Sequence, residues 1–120
     1  MTLKECYTAI GGNYEDVLGR LRSERMVQKF VLKFLDDKTF DLLCRSMDTG
    51  MQEDAFRAAH TIKGMCQNLS FTNLANSSSL MTEALRSGDM DSARGLLVNV
   101  CADYERAANA IRTFQSCLSQ

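Results

Sequence analysis

Not one proline interrupts this chain of 120 residues. Proline deletes a helix hydrogen bond and clashes with the turn before it, so a chain without it can run in long helices until something else stops them. Leu, Ala, Met, Arg, Glu and Gln dominate the long segments, and these are good helix formers. The glycines sit mainly in clusters or at turn positions. The expected fold is therefore all-α.

The stops and starts can be read in order. Thr2 can cap a short helix that ends before Gly11-Gly12, and Asn13 can cap a second through Val17, Leu18 and Leu21. Ser23 opens a longer segment with Met26, Phe30, Val31, Phe34 and Leu35 on one stripe. The Asp36-Asp37-Lys38 patch is where it would break or kink, and Phe40, Leu42, Leu43 and Met47 carry the pattern on to Gly50. Further helices are predicted at about 52–68, 72–86 and 90–118. Leu74, Ser77, Leu80, Met81 and Leu85 form the inward stripe of the second of these. The inward stripe of the last is Ala93, Leu96, Leu97, Val100, Cys101, Tyr104, Ala107, Ala108 and Ile111. Thr49-Gly50, Ser70-Phe71 and Ser87-Gly88-Asp89 are short links, and short links make neighbouring helices antiparallel. The expectation is one domain over 1–120: an antiparallel up-down four-helix bundle over 23–118, with short helices in 1–22 covering one end. The segments around Gly50 and Gly88 look alike and read as the same turn chemistry used twice.

Bulk properties exclude several functions. A length of 120 residues builds a core without disulfide or metal staples. A net charge of -1, with no cluster of Lys and Arg, argues against nucleic-acid binding. No stretch approaches the roughly 20 apolar residues of a membrane span, and Lys4-Glu5 stands where a signal peptide would be apolar. A cytoplasmic monomer is expected. The five cysteines are odd in number and widely spaced, with no CxxC and a single histidine to accompany them. Cys44, Cys66 and Cys101 are read as buried and reduced, Cys117 as exposed.

That single histidine, His60, stands in Ala59-His60-Thr61-Ile62-Lys63-Gly64. With His60 at zero and about 100° per residue, Ala55, Ala58, Ile62, Met65, Cys66 and Leu69 fall on the far side as a core face. Glu53, Phe56, Arg57, Lys63, Gly64 and Gln67 lie near His60, so the imidazole is predicted to face solvent. Gly64 in mid-helix costs about 1 kcal/mol relative to alanine, a cost that access to His60 would explain. Phe56, one turn earlier, is read equally as part of a docking surface with Arg57 or as packed on a neighbouring element.

The chemistry open to this group is narrow. No GxSxG elbow or GxxxxGK[ST] loop is present, and Gly11-Gly12 lacks the lysine of the latter. Ser77-Ser78-Ser79 is the only serine run that could supply a hydrolytic partner. Phosphoryl acceptance needs less: a neutral imidazole nitrogen is a competent nucleophile near pH 7, and the phosphoryl group needs positioning and neutralised charge. Lys63 can neutralise an oxygen, with Arg57 the weaker second choice. Gly64 leaves room, and Gln67 could donate a hydrogen bond. A Mg²⁺ ion and an opposing carboxylate would come from a partner, and the chain itself would need no cofactor.

Ala59-His60-x-x-Lys63-Gly64, followed by Leu69, Phe71, Leu74, Leu80 and Leu85, resembles the histidine phosphotransfer domain family. The resemblance implies a phosphocarrier without kinase activity, taking a phosphoryl group from a receiver-domain aspartate and passing it to another. The partners would be receiver domains of response regulators or a hybrid sensor histidine kinase. It implies His60 as phosphoacceptor, Lys63 as phosphoryl stabiliser, Gly64 as clearance and Gln67 at the rim. Two positions depart from the pattern. Ser70 stands where glycine is common, and Thr82 aligns with a Gln or Glu that commonly supports the histidine. Phe56 to Gly64 is also similar to the phosphotransfer domain of chemotaxis histidine kinases, which draws on an ATP-binding domain in the same polypeptide. The other readings are an interaction bundle that docks a receiver or kinase without accepting phosphate, and a small hydrolase or metal protein.

Overall fold

The computed structural model describes residues 1–118. All of its regular structure is helical: α1 (Leu3–Ile10), α2 (Tyr14–Leu21), α3 (Glu24–Phe34), α4 (Thr39–Asp48), α5 (Gln52–Leu69), α6 (Thr72–Arg86) and α7 (Met90–Leu118). Each of the first three starts on the side chain that the sequence suggests. Thr2 accepts from the Glu5 amide while Glu5 returns a bond to the Thr2 amide, Asn13 accepts from Asp16, and Ser23 accepts from Met26. Each bond satisfies an amide that has no partner inside its helix.

The expected first member of the bundle is two helices rather than one. The chain leaves α3 after Phe34 and re-enters helix at Thr39, whose amide donates to Asp37 Oδ1 at 2.8 Å. An aspartate that offers its own acceptor competes with the helix ladder. The two look-alike turns do share their chemistry: Gly50 and Gly88 both hold φ values, +69° and +79°, that other residues avoid.

The short N-terminal helices do more than cover an end. At 1.5 Å per residue the 29 residues of α7 span about 43 Å, whereas α6 spans about half of that. The second half of α7 therefore outruns its neighbours, yet Ala107, Ala108, Ala110, Ile111 and Phe114 are buried there. α1 runs antiparallel along it, with the Met1 amine at Cys117 Sγ and Arg106 Nε donating to the Ala9 carbonyl at 2.7 Å. It contributes Leu3, Cys6, Tyr7 and Ile10 to the core. Among the described residues the architecture is thus all-α with seven helices, in place of a strict four-helix bundle.

Several stripe assignments shift by one position. Val27, not Met26, is buried in α3; Leu42 and Leu80 are exposed at 43% and 60%, and Ala75, Ser78 and Thr82 are buried in α6. Phe30, Leu96, Leu97, Cys101 and Tyr104 are half-buried, as are Cys44 and Cys117. Cys66 is buried, and burial pushes its thiol up to about 12. A predicted stripe assumes one packing partner. These helices have two, and the buried arc turns toward both.

Aromatic rings connect the layers. Phe71, fully buried just before α6, lies 5.5 Å from Tyr7 and 5.2 Å from Phe34 between ring centroids. Phe34 continues to Tyr104 of α7, which stacks on Phe40 of α4 at 3.9 Å. The Tyr7 hydroxyl donates to the Leu69 carbonyl at 2.8 Å. Phe71→Ala removes the ring on which α1 and α3 both meet the α5–α6 turn. It should lower stability by about 3–5 kcal/mol in urea unfolding followed by far-ultraviolet circular dichroism.

Candidate functional site

The site is built on α5, and one face of that helix determines it. Ala55, Ala58, Ala59, Ile62, Cys66 and Leu69 are buried, and Met65 is half-buried rather than a full core member. Mostly small side chains let the neighbouring helices approach closely on that side. With the core face fixed, periodicity sends His60 to the opposite side, and its imidazole is exposed.

Helical side chains lean toward the N-terminus, so a residue reaches over the turn before it. This rule sets up the whole site. His60 leans toward Phe56, four residues earlier, and the two rings lie nearly parallel: centroids 5.9 Å apart, planes 10° apart. Lys63, on the next turn, is half-buried, and among the described residues it makes no ion pair. On the other side stands Gly64. A methyl group added there would meet nothing within 4 Å. The imidazole thus has an aromatic ring on one flank and open space on the other.

The remaining predicted residues divide. Arg57 is exposed but engaged, with Asp54 at 3.1 Å and Glu53 at 4.0 Å, so its charge is shared with carboxylates on its own helix. Gln67 is exposed on the same face as His60 and lines a polar depression with Asp16, Arg20, Ser70, Asn76 and Ser79. Phe56 resolves its two readings partly toward packing. It is half-buried against the core, and the partner is α6 rather than the N-terminal helices, through the Arg86 guanidinium 5.0 Å from its ring centroid.

Thr82 does not face the site. It is fully buried, and its hydroxyl donates to the Ser78 carbonyl of its own helix at 2.7 Å. Of the serine run, Ser77 and Ser78 are buried; Ser77 donates to the Leu74 carbonyl and Ser78 Oγ has no partner. Ser79 is half-buried and lines the depression with Gln67, and among the described residues no serine hydroxyl is hydrogen-bonded to His60, so a serine–histidine pair finds no support.

Two groups important to the site's shape were not anticipated. Arg20, on α2, donates to the carbonyls of Gln67 and Asn68 and to the Ser70 hydroxyl, at 3.3, 2.8 and 2.9 Å. Asp16 accepts from Ser70 at 2.6 Å and pairs with Arg20 at 2.9 Å. The Ser70 hydroxyl and then the guanidinium hold the Asp16 carboxyl below its ordinary value. A cation at the last carbonyls of α5 opposes the negative end of the helix dipole and satisfies acceptors left over by the ladder. Ser70 itself sits at φ +57°, a left-handed position where glycine would be easier. The clasp from α2 holds it there. The sequence offered one sign, a non-glycine at a helix end; its partners lie some fifty residues upstream. Arg86 is the second group, and as the last residue of α6 it carried no motif.

No helix among the described residues is long and apolar enough to cross a membrane. Comparison with curated proteins and with solved structures gives no match. A family model does match: the Hpt domain, over residues 17–111. That span covers most of the chain and all of α5, with its exposed histidine, nearby lysine and bare glycine on one face, and the chain belongs to the Hpt domain family.

Proposed function

We propose that this protein is a phosphocarrier of a two-component relay, with His60 as the residue that carries the phosphoryl group to and from receiver-domain aspartates. The observation that carries the reading is the set of neighbours around one exposed imidazole. A cation with no ion pair among the described residues stands on the next turn, and the space beside Gly64 is open.

The chemistry asks little of the chain. A ring nitrogen of His60 directs its lone pair at the phosphorus of an aspartyl phosphate on the partner. The N–P bond forms as the P–O bond to the carboxylate breaks, and the carboxylate leaves with the electron pair. The second ring nitrogen keeps its proton. The reverse step returns the phosphoryl group to another aspartate. Charge on the transferring group is spread over its oxygens, and stabilisation comes mainly from positioned cations. Lys63 supplies one from this chain; Mg²⁺ held by the receiver would supply the other. Nothing in this mechanism calls for an ATP site or a cofactor on the carrier itself. A partner must come close to the ring, and Gly64 leaves its path clear. Arg57 borders the approach and completes the docking surface. A monomer suffices for this role, because one exposed face per bundle is all that a relay needs, and we place the carrier in the cytoplasm.

Incubation with a phosphorylated receiver domain should give label that is stable in base and lost in acid, and His60→Gln should abolish it. Label persisting on that variant would remove His60 from the role. Lys63→Ala should slow transfer about 10- to 100-fold, the equivalent of roughly 1.4–2.8 kcal/mol of transition-state stabilisation, with thermal unfolding little changed. Gly64 separates access from folding. Gly64→Ala should raise stability by up to about 1 kcal/mol, whereas Gly64→Phe should fold and yet suppress transfer. Equal transfer by Gly64→Phe and wild type in a stopped-time labelling assay would show that clearance is not its purpose.

A further inference from the structure

A phosphoacceptor imidazole exposed on a helix is a free rotor unless something holds it, and among the described residues neither ring nitrogen of His60 has a hydrogen-bond partner. The α6 position that the family resemblance assigns to this task is Thr82, and its hydroxyl is committed to the Ser78 carbonyl inside the core. α6 nevertheless reaches His60 by another route. Arg86 Nε is fixed by Glu83 Oε2 at 3.2 Å. The Arg86 guanidinium lies 5.0 Å from the centroid of the Phe56 ring. Phe56 in turn lies parallel to the His60 imidazole, 5.9 Å away. The Gln52 side chain donates to the Leu85 carbonyl, so the two helices are tied one residue from Arg86.

We propose that Phe56 and Arg86 are positioning residues for His60: Arg86 clamps the Phe56 ring, and Phe56 holds the imidazole plane so that a ring nitrogen points outward over the open ground at Gly64. The neighbours four residues either way are opposites, a flat ring before and no side chain after. A brace on one flank and a vacancy on the other orient the ring without walling it in. The cation over the ring face and the parallel ring pair are both attractive contacts. Neither uses a ring nitrogen, so the nucleophile stays free. A hydrogen-bonded support, by contrast, engages one nitrogen.

The proposal rests on His60 being the phosphoacceptor, but half of its test does not. His60 is the only histidine, so its imidazole signals stand alone in the magnetic resonance spectrum of the unphosphorylated chain. In Phe56→Leu the ring C–H order parameters of His60 should fall, and in Phe56→Tyr they should return to the wild-type value. In Arg86→Ala, where Phe56 is kept, the ring-current displacement of the His60 ring protons should shrink. The second half is transfer from a phosphorylated receiver domain. Phe56→Leu and Arg86→Ala should lower the maximal rate about two- to tenfold, the range that one aromatic pair corresponds to, with the half-saturating receiver concentration unchanged and Phe56→Tyr restored. Unchanged imidazole order in Phe56→Leu, or a loss seen only in half-saturation, would make Phe56 a docking residue and overturn the proposal. Unaltered His60 proton shifts in Arg86→Ala would remove the clamp. If the wild type takes no label while the spectra respond as described, the carrier reading fails and the stack stands.

Discussion

The buried face of α5 is the constraint on which the rest depends. It is made of Ala55, Ala58, Ala59, Ile62, Cys66 and Leu69. Three alanines in that set allow backbones to come close, and α4, α6 and part of α3 pack against this helix. A helix buried along one continuous face has no rotational freedom left, since turning it by one residue would place Arg57 or Lys63 in the core at a cost of several kcal/mol. The face of α5 on which His60 emerges is thus fixed by the residues packed on the opposite side of the helix. The same constraint sets both ends of the helix. The α4–α5 turn closes through Gly50, and the α5–α6 turn is held by Tyr7, Arg20 and Asp16 from the N-terminal helices.

This division of labour explains which parts could be read from the sequence. Periodicity within one helix is a local property, and it placed Ala58, Ile62 and Cys66 inside and His60 outside. Caps are local as well, so Thr2, Asn13 and Ser23 start their helices where expected. The misreadings of burial and packing are non-local. Met26 and Val27 are adjacent and similarly apolar; only the helices that pack on α3 decide which one is covered. Leu80 fits an inward stripe, but α6 turns Ser78 and Thr82 to the core because α5 and α7 approach it from two sides. α1 could be predicted as a helix but not as the element that covers the second half of α7, since nothing in Leu3–Ile10 announces its partner a hundred residues away.

The candidate site was legible to the same degree. His60, Lys63, Gly64 and Gln67 share one helix, and the geometry of a single helix is enough to place them together. What periodicity could not supply was the influence of other helices on that face. Phe56 had two readings because its fate depended on a side chain from α6. Arg57 read as a spare cation because its charge was counted without Glu53 and Asp54, although both lie within one turn and the pairs follow the usual three- and four-residue spacing. Lys63 differs in having no acidic residue at those distances: its neighbours are Ala59, His60, Cys66 and Gln67.

That difference between two cations on one helix bears directly on chemistry. A surface ion pair has little net energy, about 0–1 kcal/mol, but it shares the charge and fixes its direction. A lysine without such a partner keeps its field available for an incoming anion. In the carrier role proposed above, Lys63, which makes no ion pair among the described residues, would meet a phosphoryl group arriving between His60 and the clearing at Gly64 with no ion pair to break first. The arrangement demands rigidity in the scaffold and emptiness at its surface. The α2 clasp at Ser70, the turn glycines and the aromatic chain from Tyr7 to Phe40 supply the first. Gly64 supplies the second, at a cost in helix stability that the long contact of α5 with α4 and α6 readily absorbs. A bulkier residue at 64 would improve the helix and close the surface, so the stability of the element and the reach of its histidine are opposed at that one position.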